Sequence, residues 1–371
     1  MRTVIVIGAG GSVAQAASLR PSRHKDHPPL DADFFRKAET LAVSSASVKK
    51  ELDHLLNRLD QDGQFINPLR PVSAPLEQFF ADVYYEVASQ KRKSAFDVLI
   101  SLMRLYAQVL AETTNWMAMH QSLGSLDKLL RIEAQIADSQ RPTIITFNQD
   151  LVIENAAARL PRQADRWCID ALYGDLDLSP LVPTDKGAPV FSHHTDGCHH
   201  DPPFELLKMH GSLNWGLTST TEDPSLGTVF PHGGKRIVHI TNRRRVRVGG
   251  VMRSRKPQGR KSWHLWPLIV PPIYDKQRII GMQLLQSIWD RAAKAITEAE
   301  RLVLVGYSLP ESDVMARQML RRSFVANQNL DSVILINPDA AMVPKVQRTL
   351  GCQVLHVYTD LPSYLAHQGT R

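Results

Sequence analysis

Cysteine is scarce in this chain. Its three cysteines in 371 residues, Cys168, Cys198 and Cys352, form no C-x-x-C pair, which excludes a disulfide framework and a four-cysteine zinc site. A reducing compartment is the expectation. Long apolar runs are missing at the start as well: Val4 to Ile7 is cut short by Gly8-Ala9-Gly10-Gly11, too soon for a signal-peptide core or a membrane span. The expectation is a cytoplasmic protein without a membrane. Aromatic residues make up 7%, but 43% hydrophobic and 22% charged residues are ordinary globular values, which excludes disorder, collagen and coiled coil. Acidic residues are absent between Arg243 and Lys261, where nine Lys or Arg occur, so a net charge of +7 leaves −2 for the rest of the chain. The basicity belongs to one segment.

What is present is a series of short β-branched runs. Arg2 to Ile7 ends on glycines and reads as a buried central strand. Comparable runs follow at Thr143 to Phe147, Phe204 to Met209, Leu268 to Val270, Leu302 to Val305, Val333 to Ile336 and Val354 to Val357. Without polar alternation, they predict parallel α/β architecture covered on both faces. From about Val43 to Gln140 the apolar spacing is helical, as in Phe96 to Tyr106, with no strand signal. This predicts a discontinuous α/β domain, residues 1–40 plus 141–371, interrupted by an inserted helical subdomain at 41–140. Pro161 to Pro203 and Ser219 to Pro267, rich in Pro, Gly, His and Arg, read as loops outside the core.

Five predicted strands end in residues suited to ligands, at the edge where open α/β sheets bind them. Gly8-Ala9-Gly10-Gly11-Ser12 leads into a helix whose start favours a phosphate, although Val13 stands where the third glycine of G-x-G-x-x-G belongs; a tight turn is the other reading. Asn148 and Asp150 are placed for hydrogen bonds to a sugar or amide, or for capping the next helix. His210, before Gly211 and Ser212, is a candidate general base or a structural histidine. Ser308 and Asn337 suit ribose or phosphate contacts, while Gly306 and Pro338 serve turns.

Taken together, Gly8-Ala9-Gly10-Gly11-Ser12, Pro28 to Phe35 with Asp33 and Phe34, Thr146-Phe147-Asn148-Gln149-Asp150, Lys208-Met209-His210-Gly211-Ser212, Gly306-Tyr307-Ser308-Leu309-Pro310 and Ile336-Asn337 resemble, in order, the sirtuin superfamily. The closer resemblance is to the sirtuin-like NAD hydrolases of prokaryotic antiphage defence, in which Leu268 to Pro272 also looks familiar. The resemblance implies a Rossmann-like parallel sheet of the sirtuin type, a DHS-like NAD-binding fold, and an NADase acting in antiviral defence by abortive infection. Protein-deacylating sirtuins carry two C-x-x-C pairs for a structural zinc, which this chain lacks, so no structural zinc is expected. Nor does Asp33-Phe34-Phe35 supply the arginine of the deacylases' Gly-Ile-Pro-Asp-Phe-Arg segment.

By resemblance, Gly8, Ala9, Gly10 and Ser12 would hold the pyrophosphate of NAD, Gly306 and Ser308 the adenosine side, and Asn337 the adenine ribose. Asp150 would contact the carboxamide, and Asp33 and Phe34 would shape the nicotinamide end. Asn148 and His210 form the expected catalytic pair, Asn148 orienting water and His210 acting as base. NAD is the substrate. A protein deacylase and a non-catalytic NAD or ADP-ribose sensor are the alternatives. The resemblance further implies a homo-oligomer and, as regulatory partner, a HerA-type ATPase or short Argonaute. The His193 to Asp201 segment has the atoms of a zinc site without its spacing and reads as a solvated loop. The 243–261 segment is the one place where nucleic acid would bind, a solvated or partly disordered loop or an acidic protein partner being the other readings.

Overall fold

A computed structural model describes residues 1–20, 22–23, 26–61, 75–87, 93–136, 141–160, 169–174, 202–219, 238–240, 251–253, 262–271, 283–311, 313–352 and 356–368. The first strand, β1 (Thr3–Ile7), is buried along its whole length and runs into α1 (Ala9–Leu19). Next come α2 (Phe34–Ala42), α3 (Ala46–Gln61), α4 (Leu76–Tyr85), α5 (Lys93–Thr114) and α6 (Ser125–Ile136), before the chain returns to the sheet as β2 (Thr143–Thr146). After β2 come α7 (Val152–Ala157) and β3 (Glu205–Lys208). Four strands then lie outside the first sheet: β4 (Gly211–Ser219), β5 (Val238–Ile240), β6 (Val251–Arg253) and β7 (Ser262–Ile269). Alternation resumes with α8 (Gln283–Thr297), β8 (Arg301–Val305), α9 (Val314–Ala326), β9 (Ser332–Ile336), α10 (Met342–Leu350), β10 (His356–Tyr358) and α11 (Leu361–Gln368).

The six strands of the first sheet lie in the order β10-β9-β8-β1-β2-β3, and every neighbouring pair is parallel. Renumbered along the chain, this is 3-2-1-4-5-6, the doubly wound order of dinucleotide-binding folds. Topology thus gives a mixed α/β Rossmann-like fold with its switch point between β1 and β8. The central strands are apolar throughout because both faces are covered, with Val4 to Ile7 and Leu302 to Val303 fully buried. At the opposite edge from the strand ends, Arg301 makes a bidentate bond to Glu133, 2.7 and 3.1 Å, and Tyr364 donates to the same carboxylate at 3.0 Å. This buried group ties α6 and α11 to the sheet.

The described elements between β1 and β2 are helices, and residues 94–119, which include most of α5, are long and apolar enough to cross a membrane, yet 67% of their most apolar 18-residue window is buried inside the protein. The apolar face of α5 is spent on α3, α4 and α2 rather than left for lipid.

Two loop readings need correction. The stretch Ser219 to Pro267 contributes β5, β6 and most of β7 to an antiparallel sheet of order β5-β4-β7-β6, with Trp266 only 6% exposed. Leu268 and Ile269 accordingly belong to that antiparallel strand, not to the parallel sheet. Pro161 to Pro203 is likewise not all peripheral: a helical turn at Ile169–Tyr173 places Leu172 and Tyr173 fully inside the core. Strands of three residues are too short to display periodicity, and their arginines and histidines hid them. The His193 to Asp201 segment lies outside the described residues, as does 243–261 apart from β6.

Candidate functional site

Because β1, β2, β3, β8 and β9 are parallel neighbours, the five polar strand ends fall on one edge of the sheet. The turn after β1 meets the turn after β8 backbone to backbone. Gly8 N donates to Val305 O at 3.0 Å and Gly10 N to Gly306 O at 3.0 Å. A Cβ on Gly10 would lie 2.8 Å from Gly306 Cα, and one on Gly8 would lie 2.6 Å from Tyr307 Cα. The glycines therefore allow two loops to touch at the switch point. Ala9 is exposed at the positive end of α1.

Ser12, Asn148 and Asp150 come together although 136 to 138 residues separate Ser12 from its partners. Asn148 Nδ2 donates to Gly8 O at 2.9 Å and to Ser12 Oγ at 3.0 Å, and Ser12 donates to Asp150 Oδ2 at 2.7 Å. The other Asp150 oxygen accepts the Val152 amide at 3.0 Å, an Asx turn just ahead of α7, whose N-cap is Leu151 and not Asp150. All three side chains are buried.

His210 stands at the end of β3. The β2–β3 register pairs Thr146 with Lys208, and Met209 N donates to Thr146 O at 2.9 Å, so His210 lies just past the end of that pairing, next to Phe147. The imidazole lies edge-on to Phe147 at 5.3 Å, and Phe147 stacks on Tyr307 at 4.5 Å with 6° between the rings. His210 Nε2 is 3.8 Å from Asp313 Oδ2. Tyr307 donates to that same oxygen at 3.2 Å, and burial together with Asp313 pushes its phenol well above the ordinary range. At Gly211, φ is +76° and a Cβ would meet Leu268 O at 2.1 Å, so only glycine lets the chain turn from the first sheet into the second there.

The remaining expected residues make contacts of their own. Gly306 has φ +55° and supports the glycine turn. Ser308 is exposed, its carbonyl accepting Lys345 Nζ at 2.7 Å, and Asn337 Oδ1 accepts the Asp339 amide at 2.9 Å. Asp33 accepts the Leu30 amide at 2.7 Å. Phe34 is 1% exposed and packs on Phe35 and Tyr106.

Sequence reasoning missed the support behind these residues. Lys208, fully buried, donates to the Asp150 carbonyl and pairs with Glu154 at 3.2 Å. Tyr173 donates to Glu154 at 2.9 Å, and Asn214 Nδ2 donates to the Tyr173 hydroxyl at 3.0 Å. Burial pushes the Glu154 carboxyl up, against the opposing effect of the Lys208 ammonium. A lysine inside the apolar run Leu206-Leu207-Lys208-Met209 was the available signal. From α5, Tyr106 donates to Gln149 Oε1 at 2.7 Å, which joins the helical segment to the strand-end loop. Among the described residues no group of three His, Cys, Asp or Glu is placed to hold a metal ion.

No protein-family model matches this chain, and no curated protein matches it. Among solved structures, one described as the crystal structure of a Sir2 homolog–NAD complex aligns with 99% of this chain and 87% of its own, at 11% identity and a TM-score of 0.43. Strand order and register are what establish the architecture here.

Proposed function

We propose that the chain is an NAD glycohydrolase that cleaves the nicotinamide–ribose bond to give nicotinamide and ADP-ribose, with Asn148 and His210 as its catalytic pair. The observation that carries this reading is the convergence, at the switch point of a doubly wound sheet, of the glycine turn with the Ser12–Asn148–Asp150 cluster and with His210 one strand over. Dinucleotides bind in that crevice, and the positive end of α1 favours a diphosphate.

The leaving nicotinamide is neutral and the sugar passes through a cation-like state, so the chain's residues have to position more than attack. Asn148, whose Nδ2 is already committed to Gly8 O and Ser12, would present its Oδ1 as acceptor to the nicotinamide ribose and orient water. Asp150, fixed from behind by Lys208, would receive the carboxamide, and Gly306, Ser308 and Asn337 would line the adenosine side. His210 would accept a proton from water or a ribose hydroxyl, a contribution of about 10²- to 10⁴-fold. In this reading the helices between β1 and β2 form an inserted subdomain, and control of NAD destruction in antiphage defence falls to an oligomeric assembly or a protein partner.

The test is to incubate the purified chain with NAD alone and with NAD plus an acetylated peptide, following nicotinamide. Release without peptide is expected. Release that depends on peptide would replace this reading with a deacylase.

A further inference from the structure

We propose that Asp313 is a positioning residue for His210, holding the imidazole at the carboxyl end of β3 and stabilising the imidazolium formed when His210 takes a proton. The inference rests on the reading of His210 as the base. Four observations converge on it. First, Asp313 Oδ2 lies 3.8 Å from His210 Nε2, within ion-pair range of a protonated imidazole, and accepts the Tyr307 hydroxyl at 3.2 Å, so one oxygen faces both rings. Second, Asp313 occupies the N-cap of α9, where an aspartate ordinarily accepts an amide of its own first turn, yet it makes no side-chain cap bond there. Its carboxylate is directed to the strand ends instead.

Third, the backbone is bent to bring it there. Gly306 has φ +55° and Leu309 has φ +49°, the latter a left-handed conformation that a branched, 1% exposed side chain rarely adopts. Asp313 accepts the hydroxyl of Tyr307, whose ring is stacked on Phe147. Fourth, Asp313 is 2% exposed and His210 7%, and a carboxylate buried to that degree is held by paired groups rather than water. Phe147 and Trp289, from the end of β2 and from α8, also face the imidazole and carry no charge. Around Tyr307 the further charges are Arg317 on α9 and Glu77 on α4. This arrangement follows the logic of a carboxylate that orients a catalytic histidine without itself exchanging a proton.

The experiment is a ring-nitrogen NMR titration of His210 in the full chain, for wild type, Asp313→Asn and Asp313→Glu. The Asp313→Asn midpoint moves to lower pH, because the carboxylate that favours the imidazolium is gone, and Asp313→Glu restores part of the shift. An unchanged midpoint in folded Asp313→Asn overturns the proposal. Should that variant not fold, the Asp313 carboxyl-carbon resonance of wild type is followed across the same titration. It must shift at the His210 midpoint, and a resonance indifferent to that midpoint overturns the proposal equally. In nicotinamide release, Asp313→Asn lowers kcat by about 10²-fold with little change in KM. It adds nothing further in a His210→Ala background. Loss of turnover in His210→Ala with none in Asp313→Asn sinks this inference alone. Wild-type turnover in folded His210→Ala sinks the function reading and leaves the NMR coupling to be judged separately.

Discussion

Replacing Gly306 with alanine tests whether contact between the two glycine turns organises the switch point. The new Cβ would stand 2.5 Å from Gly10 C, 2.5 Å from Gly11 N and 2.7 Å from Gly10 Cα. All three are backbone atoms, so no side-chain rotation relieves the overlap. The left-handed φ of +55° adds about 1–2 kcal/mol for any L-residue with a side chain. Forcing a methyl into a filled space adds about 1–3 kcal/mol. Together these give a loss of about 2–5 kcal/mol. Gly351 supplies the control: its φ is +74°, but a Cβ there meets nothing within 4 Å, so Gly351→Ala carries the conformational part alone, about 1–2 kcal/mol. Urea unfolding of both variants, with unchanged m-values, measures the difference. Equal destabilisation of the two would refute the claim that the turns are in enforced contact.

Lys208→Met should cost about 3–5 kcal/mol in the same assay, because Glu154 loses the cation that compensates its burial. Adding Glu154→Leu should recover much of that loss, and a double variant as unstable as the single one would count against the pairing. At alkaline pH, the buried phenols of Tyr106, Tyr173 and Tyr307 all titrate above their ordinary value of 10, chiefly through desolvation. Their folded values exceed their unfolded ones, so their stabilisation is complete below about pH 10 and is lost as pH rises toward the folded values. Spectrophotometric titration should therefore show their phenolate forming together with unfolding; normal titration of all eight tyrosines in a still-folded chain would contradict this.

How far the sequence was legible follows from the range over which each signal acts. A run such as Val4 to Ile7 announces a buried strand locally, since covering both faces removes polar alternation. The positions of Asn148, Asp150 and His210 at strand ends were equally local, and the parallel register then carried them to one edge. The Ser12–Asp150 hydrogen bond was not legible, because nothing in either segment encodes a partner 138 residues away. Asp313 was hidden differently: an aspartate before a helix satisfies the capping rule, which gives no reason to look for another partner. The second sheet escaped because β5 and β6 are three residues each, while Trp263 and Trp266 read as the margin of a basic loop although Trp266 is buried in β7. Phe34 shows the reverse case, a motif residue whose ring the fold places against Tyr106 inside the helical core.

The account depends most on His210 and Asn148 acting together on NAD at the carboxyl ends of β3 and β2. Nicotinamide release should be measured for wild type, His210→Ala and Asn148→Ala, alongside ADP-ribose affinity. The account predicts turnover by wild type, a loss of about 10²-fold or more in His210→Ala and Asn148→Ala, and ADP-ribose binding preserved in His210→Ala. A folded His210→Ala chain that hydrolyses NAD at the wild-type rate would contradict it.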